Sequence, residues 1–281
     1  MKIKIFFCLA VTACLSVLSS LNAQPTNTLT PAQTQLHELV QKVQEKIKAE
    51  KTSEADFADE LKTFDSLIAS EKSANKEDAA QVAYMKGMLY LQVFKDTDKG
   101  AEIFKQLKAD FPDTKYGKGA DKVLAGIEKQ AASQKIQDSL VAGAVFPDFA
   151  EKDLTGQPLS VGALKGKVVL VDFWATWCAP CRAELPNVIA TYKKHHGEGF
   201  EIIGVSLDSD RAKLDEFLKK TDGMTWPQYY DGEGWGNQLA GKYGVESIPF
   251  AVLVGPNGKI LGKDLRGEEL ETAVSKAVGK K

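Results

Sequence analysis

The sequence predicts an α/β domain with a mixed sheet flanked by helices, preceded by a smaller all-α helical domain. Three patterns carry this. Between about residues 30 and 140, apolar side chains recur at helical spacing and are interrupted by polar caps and by Phe111-Pro112-Asp113. Beyond about residue 143, two apolar, β-branched runs alternate with helical stretches. The chain then closes with two short strands joined by Pro256-Asn257-Gly258 and a last helix, and Asn-Gly between apolar runs is a hairpin signal. Strands that alternate with helices and end in a hairpin call for both parallel and antiparallel pairing.

Thr30-Pro31-Ala32-Gln33 predicts a capped helix start, with Thr30 as N-cap, Pro31 in the first turn and Gln33 completing a capping box. Leu36, Val40, Val43 and Ile47 follow on one face. Ser53 is expected to cap a second helix carrying Phe57, Leu61, Phe64 and Ile68, and Asn75 a third carrying Val82, Met85, Leu89 and Val93. A fourth helix is expected over about 99–110 and a fifth from about 116 to beyond 127. The lysine-rich face of Lys42, Lys46 and Lys48 reads as solvated surface. In the second domain, 154–159 reads as a turn between short extended pieces. Buried strands are expected at 167–173 and 200–207, and helices at 182–195, 212–220 and 268–278. The hairpin strands fall at 250–254 and 259–262.

The 281 residues suffice for two domains with real cores. The boundaries read as 1–23 for an export signal, 24–140 for the helical domain and 141–281 for the α/β domain. Lysine and arginine number 36 against 38 acids, a formal net charge of −2, so no basic face argues for nucleic acid. At the N-terminus, Lys2 and Lys4 precede a mostly apolar run over 5–21, and Leu21-Asn22-Ala23 ends in a small residue suited to cleavage before Gln24. Thr12 and Ser16 interrupt the run, which is short for a permanent span. This predicts export to the periplasm. A competing reading takes Val11-Thr12-Ala13-Cys14 as a lipobox, with Cys14 lipidated and the product anchored.

The chain has four cysteines: Cys8 and Cys14 in the expected export segment, and Cys178 and Cys181. The second pair, in Cys178-Ala179-Pro180-Cys181, sits where a strand hands over to a helix. Unpaired N–H groups and the positive dipole end at a helix N-terminus favour thiolate, the form that attacks disulfides. The alternatives are a structural disulfide or half of a zinc site. No second cysteine pair completes four zinc ligands, and His195 and His196 lie at the far end of the helix. In an oxidising compartment a lone CxxC pair reads as a redox instrument. Cys181 is followed by Arg182 and not by the His of c-type haem attachment. No metal site, Rossmann fingerprint or flavin site is legible, so no cofactor is expected beyond the dithiol itself.

The order strand, WCxPC, helix, strand, helix, Ile-Pro, hairpin, helix resembles the thioredoxin fold over about residues 143–281. Val171-Asp172-Phe173-Trp174-Ala175-Thr176-Trp177-Cys178-Ala179-Pro180-Cys181 is close to that family's active-site signature. Val145-Phe146-Pro147-Asp148-Phe149, Gly166-Lys167 and Cys181-Arg182-Ala183-Glu184-Leu185-Pro186 are similar to the TlpA/ResA-like branch of exported thiol–disulfide oxidoreductases, several of which act in cytochrome c maturation. Residues 208–241 are similar to that branch's extra helix and loop. The resemblance implies roles residue by residue. Cys178 would be the attacking and more exposed thiol, Cys181 the resolving one. Pro180 would shape the loop, and Trp177 would wall the site. Ile248-Pro249 would face the dithiol through a cis bond, its neighbouring backbone pairing with an extended substrate.

Asp172 matches the acid beneath the dithiol. Burial would raise its pKa, so that it could take the proton of Cys181. Glu184 matches an acid of the same branch. Three residues past Cys181, it returns to the same side of the helix. There it would raise a thiol pKa or accept a proton, with Arg182 acting in the opposite direction; a first-turn acid favoured by the helix dipole explains it as well. The implied activity is dithiol–disulfide exchange on other proteins, read as reduction with a membrane thiol electron donor, although the inner pair Ala179-Pro180 does not decide between a reductant and an oxidant or isomerase.

The third and fourth helices resemble one tetratricopeptide unit at Gly87, Tyr90, Gly100, Phe104, Leu107 and Pro112, with about one residue inserted. A partner-docking groove would follow from it; a plain helical core explains the same spacing. Two rival functions are a peroxiredoxin-like antioxidant enzyme and a non-catalytic adaptor binding partners through the helical domain. The first needs Pro-x-x-x-Thr/Ser-x-x-Cys, and Val171 and Ala175 stand at those positions before Cys178. The intact CxxC argues against the second.

Overall fold

The computed structural model describes residues 30–279; the expected export segment, with Cys8 and Cys14, lies outside the described residues. No helix among the described residues is long and apolar enough to cross a membrane. The described chain forms two compact units that divide after Glu128.

The first unit is helical. Helix α1 (Pro31–Lys48) starts with the expected capping box, Thr30 and Gln33 each accepting from the other's backbone N–H. Ser53 does not cap the second helix directly. It caps a 3-10 turn, Glu54–Phe57, and α2 (Ala58–Ala74) follows without a side-chain cap. Asn75 caps α3 (Lys76–Leu89) by accepting from Glu77 and Asp78 N–H. The extra residue against tetratricopeptide spacing coincides with a π-helical turn at Tyr90–Phe94, where an i→i+5 pattern absorbs one residue. Helix α4 (Thr97–Asp110) then packs on α3. A Cβ on Gly87 would lie 2.7 Å from the Phe104 ring, and one on Gly100 would collide with Leu91, so both close approaches require glycine. Phe57, Phe64, Phe104 and Leu107 are fully buried. Lys46, read as part of a solvated face, instead reaches buried Glu60 at 2.5 Å, as a desolvated carboxylate needs a partner. Helix α5 (Lys115–Ser139) runs through the division between units, and its last turns bond within the second unit: Gln137 Nε2 donates to Gly244 O at 2.6 Å.

The second unit opens with a two-residue hairpin, β1 (Glu151–Lys152) with β2 (Pro158–Leu159). Its main sheet is built around β3 (Val168–Trp174), which is parallel to β4 (Phe200–Ser206). Being covered on both faces, β3 is apolar throughout except for Asp172. Helix α6 (Ala179–His195) leaves directly from the end of β3 and continues through Pro186. Helix α7 (Arg211–Lys220) follows β4, and β5 (Gln228–Tyr229) adds a parallel edge that two residues were too few to announce. Helix α8 (Gln238–Lys242) leads to β6 (Phe250–Val254), which lies antiparallel on the other side of β3. The hairpin from β6 to β7 (Ile260–Lys263) turns on Pro256-Asn257-Gly258, with Gly255 N–H bonded to Lys259 O and Gly258 at φ +76°. The five strands thus stand in the order β5-β4-β3-β6-β7. Helix α9 (Gly267–Val278) closes the unit against α6.

Alternation along β3 divides the core. Leu170, Asp172 and Trp174 face one way, toward α6 and α9. Phe173 faces the other, where Tyr243 is stacked on Phe146 at 5.0 Å and meets Phe149 and Phe173 edge-on. The Tyr243 hydroxyl donates to Pro147 O at 2.5 Å, and Asp148 accepts from Val161 and Gly162 N–H. Phe146 and Phe149 of the Val145–Phe149 motif therefore pack on the far face of the sheet, while Val145 stays exposed.

Candidate active site

Cys178 is the N-cap of α6 and Cys181 lies in its first turn, with Ala179 and Pro180 exposed between them. Pro180 fits there because a first-turn N–H has no intrahelical acceptor to lose. The two cysteines are joined in a disulfide, Cα–Cα 5.3 Å, and Cys178 Sγ accepts from Cys181 N–H at 3.2 Å. The backbone donor thus points at Cys178 Sγ, a contact that would favour negative charge on that sulfur once the disulfide is reduced. Exposure does not single out Cys178 as expected: it is 4% exposed and Cys181 7%. Its place at the cap distinguishes it instead.

Beneath the disulfide lies a cavity of about 10 Å³, room for about one water molecule. Cys181, Asp172, Glu184, Pro249 and Arg266 all line it. The Ile248-Pro249 bond is cis, as the resemblance implied, and both residues are half-buried just before β6. Burial pushes the Asp172 carboxyl up to about 6; Arg266 pulls against this and Glu184 adds to the rise. Asp172 is therefore an acid that changes protonation near neutral pH beside Cys181.

Glu184 shares that cavity, and its carboxylate has a structural task as well. Its Oε1 accepts from Gly267 N–H at 2.7 Å and its Oε2 from Asn187 Nδ2 at 3.1 Å. Arg266, the N-cap of α9, makes no capping bond of its own, so Glu184 satisfies the first turn of α9 from across the interface. Arg266 donates to Leu265 O and Asp264 Oδ1 while its charge acts on Asp172. The sequence reading missed Arg266, since nothing local marks a residue that reaches the site from the far end of the chain.

Asp208 was missed too. Only 2% exposed, it accepts from Thr176 Oγ1 at 2.6 Å, from Thr176 N–H at 3.0 Å and from Ser206 Oγ at 2.9 Å. It ties the end of β4 to the residue before Trp177-Cys178. Asp208→Ala leaves these donors unpaired and is expected to lower stability by about 3 kcal/mol, given about 1.5–3 kcal/mol for hydrogen bonds to charged groups. Urea unfolding of the oxidised protein measures this; an unchanged midpoint would remove Asp208 from the scaffold of the loop.

Trp177, next to Cys178 in the chain, is 52% exposed. Among the described residues, no group of three or more His, Cys, Asp or Glu side chains is placed to hold a metal ion. The arrangement can exchange two electrons through the cysteine pair and move a proton at Asp172.

The Redoxin family model matches residues 141–279. The thiol–disulfide oxidoreductase ResA of Bacillus subtilis (strain 168) is 31% identical over 125 residues, spanning 44% of this chain and 68% of the relative. The protein of that name from Bacillus anthracis is 32% identical over 133 residues, spanning 47% and 74%. This chain belongs to the ResA-like thiol–disulfide oxidoreductases. The crystal structure of the thioredoxin domain of a Bacteroides vulgatus thiol–disulfide oxidoreductase is 36% identical and covers 50% of this oxidoreductase and 99% of that chain, with a TM-score of 0.45. The family model falls on the second unit, where the Cys178–Cys181 disulfide lies.

Proposed function

We propose that this oxidoreductase reduces disulfides of exported proteins, with cytochrome c maturation as its setting. The observation that carries the reading is the disulfide at the α6 N-terminus with an ionisable Asp172 beneath Cys181. In the reduced enzyme, the Cys178 thiolate attacks one sulfur of a client disulfide. A Cys178–client bond forms, the client S–S bond breaks, and its other sulfur leaves as thiolate. Cys181 gives its proton to Asp172 and attacks Cys178 Sγ. The second client sulfur is expelled, and the enzyme keeps the disulfide seen here. The client has gained two electrons and keeps them; a membrane dithiol carrier supplies a second pair, reducing the Cys178–Cys181 disulfide and becoming a disulfide itself. Trp177, Ile248 and Pro249 form the surface over which the client passes.

The charged and apolar pattern of residues 1–23 supports export, and cleavage there would leave Cys178 and Cys181 as the two cysteines of the mature chain. The apolar stripes of the helical unit are consumed by its own cores, which supports a scaffold more than a peptide groove.

The reduction potential of the Cys178–Cys181 couple, from equilibrium with glutathione buffers, tests the direction of electron flow. A value near about −270 mV is expected; one near about −120 mV would make the protein an oxidant and end the reductant reading.

A further inference from the structure

Two large aromatic side chains stay in water on the unit that carries the disulfide: Trp177, 52% exposed, and Trp235, 49% exposed. They are the aromatic members of the exposed large apolar set among the described residues, and they touch. Their ring centroids are 6.0 Å apart, with planes inclined at 55°. Trp177 immediately precedes Cys178, whereas Trp235 comes from the Gly234–Gly236 turn between β5 and α8. Leaving half of each of two indoles in water, side by side, forgoes burial that a packed position would provide.

The chain segments that carry the two rings are held by carboxylates that the exchange chemistry does not use. Asp208 fixes Thr176, next to Trp177. Asp231 accepts from Glu233 N–H, Asn237 Nδ2 and Gln238 N–H, which brackets Trp235 on both sides. Asn237 Nδ2 also reaches Ser206 O at the end of β4, and a Cβ on Gly234 would lie 3.9 Å from Leu207 O. The turn is thus seated against the strand end that anchors the active-site loop. The inclined pair is thus anchored at both ends, with Trp177 one residue before Cys178.

We propose that Trp177 and Trp235 form a client subsite that takes one aromatic or branched aliphatic side chain of a substrate polypeptide, within about three residues of its half-cystine. The inference rests on the protein-disulfide exchange reading above. A client sulfur that reaches Cys178 Sγ brings its neighbours over Trp177, at about 3.3–3.6 Å per extended residue. The surroundings decide the chemistry of the occupant. Arg182 is exposed just past Cys181 and Glu233 just before the Trp235 turn, one charge of each sign. The carboxylates of Asp208 and Asp231 are already engaged by the hydrogen bonds that hold the two segments, so neither is a free ion-pair partner for a charged client side chain. Removal of indole surface from water and ring packing remain as the attraction, and both select an apolar group.

The test uses the reduced protein and a set of peptide disulfides identical except for the residue beside the half-cystine: Phe, Leu, Ala, Lys or Glu. The wild type is expected to reduce the Phe and Leu peptides about tenfold faster than the Ala peptide. In Trp235→Ala this preference is expected to fall below about twofold, and in Trp235→Phe to persist. Turnover of 2-hydroxyethyl disulfide, which has no side chain to place, reports that the variant dithiol is competent. An undiminished preference in competent Trp235→Ala, or fastest reduction of the Lys or Glu peptide by the wild type, overturns the subsite. Failure of the wild type with every peptide, alongside turnover of 2-hydroxyethyl disulfide, overturns the protein-disulfide reading itself.

Discussion

Cys178→Ser is expected to abolish disulfide exchange, by about 10⁴-fold or more, while Cys181→Ser accumulates a client joined covalently to Cys178. The two cysteines are three residues apart and similarly buried, at 4% and 7%, so access does not assign their roles. Geometry does. Cys178 caps α6 and accepts the Cys181 N–H, whereas Cys181 lies one turn inside and lines the Asp172 cavity. A hydroxyl in place of the Cys178 thiol has no accessible anion, and loss of a nucleophile in a concerted site removes nearly all catalysis. Without Cys181, the first exchange still occurs but nothing displaces the client. A reductant-sensitive band on a non-reducing gel of Cys181→Ser, absent from Cys178→Ser, is the expected readout. The opposite pattern would reverse the roles assigned to the pair.

Asp172→Asn is expected to stabilise the oxidised protein by about 3 kcal/mol at pH 8. In the folded protein the carboxyl is raised to about 6, from 3.8, chiefly by burial. At about 1.36 kcal/mol for each pKa unit, this is about 3 kcal/mol of destabilisation when the group is charged. The sign follows from proton binding. Between about pH 4 and 6 the native state holds the proton more tightly than the unfolded state, so stability falls as pH rises through that window. Below about pH 4 the carboxyl is neutral in both states, and the gain from Asn disappears. Urea unfolding under non-reducing conditions at pH 4 and pH 8 measures it; the same gain at both values would mean that the effect is packing and not charge. The same substitution carries a catalytic cost. Resolution of the mixed disulfide should rise with pH through about 6 in the wild type, and Asn should slow it by about 10²-fold, the low end of general-base contributions.

The chemistry was legible because its residues sit close together in the chain or carry strong local signals. The CxxC pair lies at a strand-to-helix junction, Ile248-Pro249 lies before the last long strand, and Asp172 is the one acid in an apolar run. Glu184 was placed on the right side by helix periodicity, but its bond to Gly267 was hidden, since α9 is contributed by the far end of the chain. Ser53 shows the limit of a local rule. It caps as expected, yet the turn it caps is 3-10, because Phe57 is drawn into the helical core before the α-helix begins. The edge strand β5 escaped notice because two residues have no periodicity; β4 alone defines it.

By itself, the sequence determined the dithiol, the order of its elements and the mixed sheet. Each follows from side-chain period, turn chemistry and spacing within a few residues. Tertiary structure alone decided what surrounds the sulfurs. It brought Arg266 and Glu184 to Asp172, fixed the active-site loop through Asp208, and set Trp235 against Trp177. These partners are remote along the chain, so no local pattern records them. Burial and charge become properties of a residue only after the sheet has closed and the helices have packed over it.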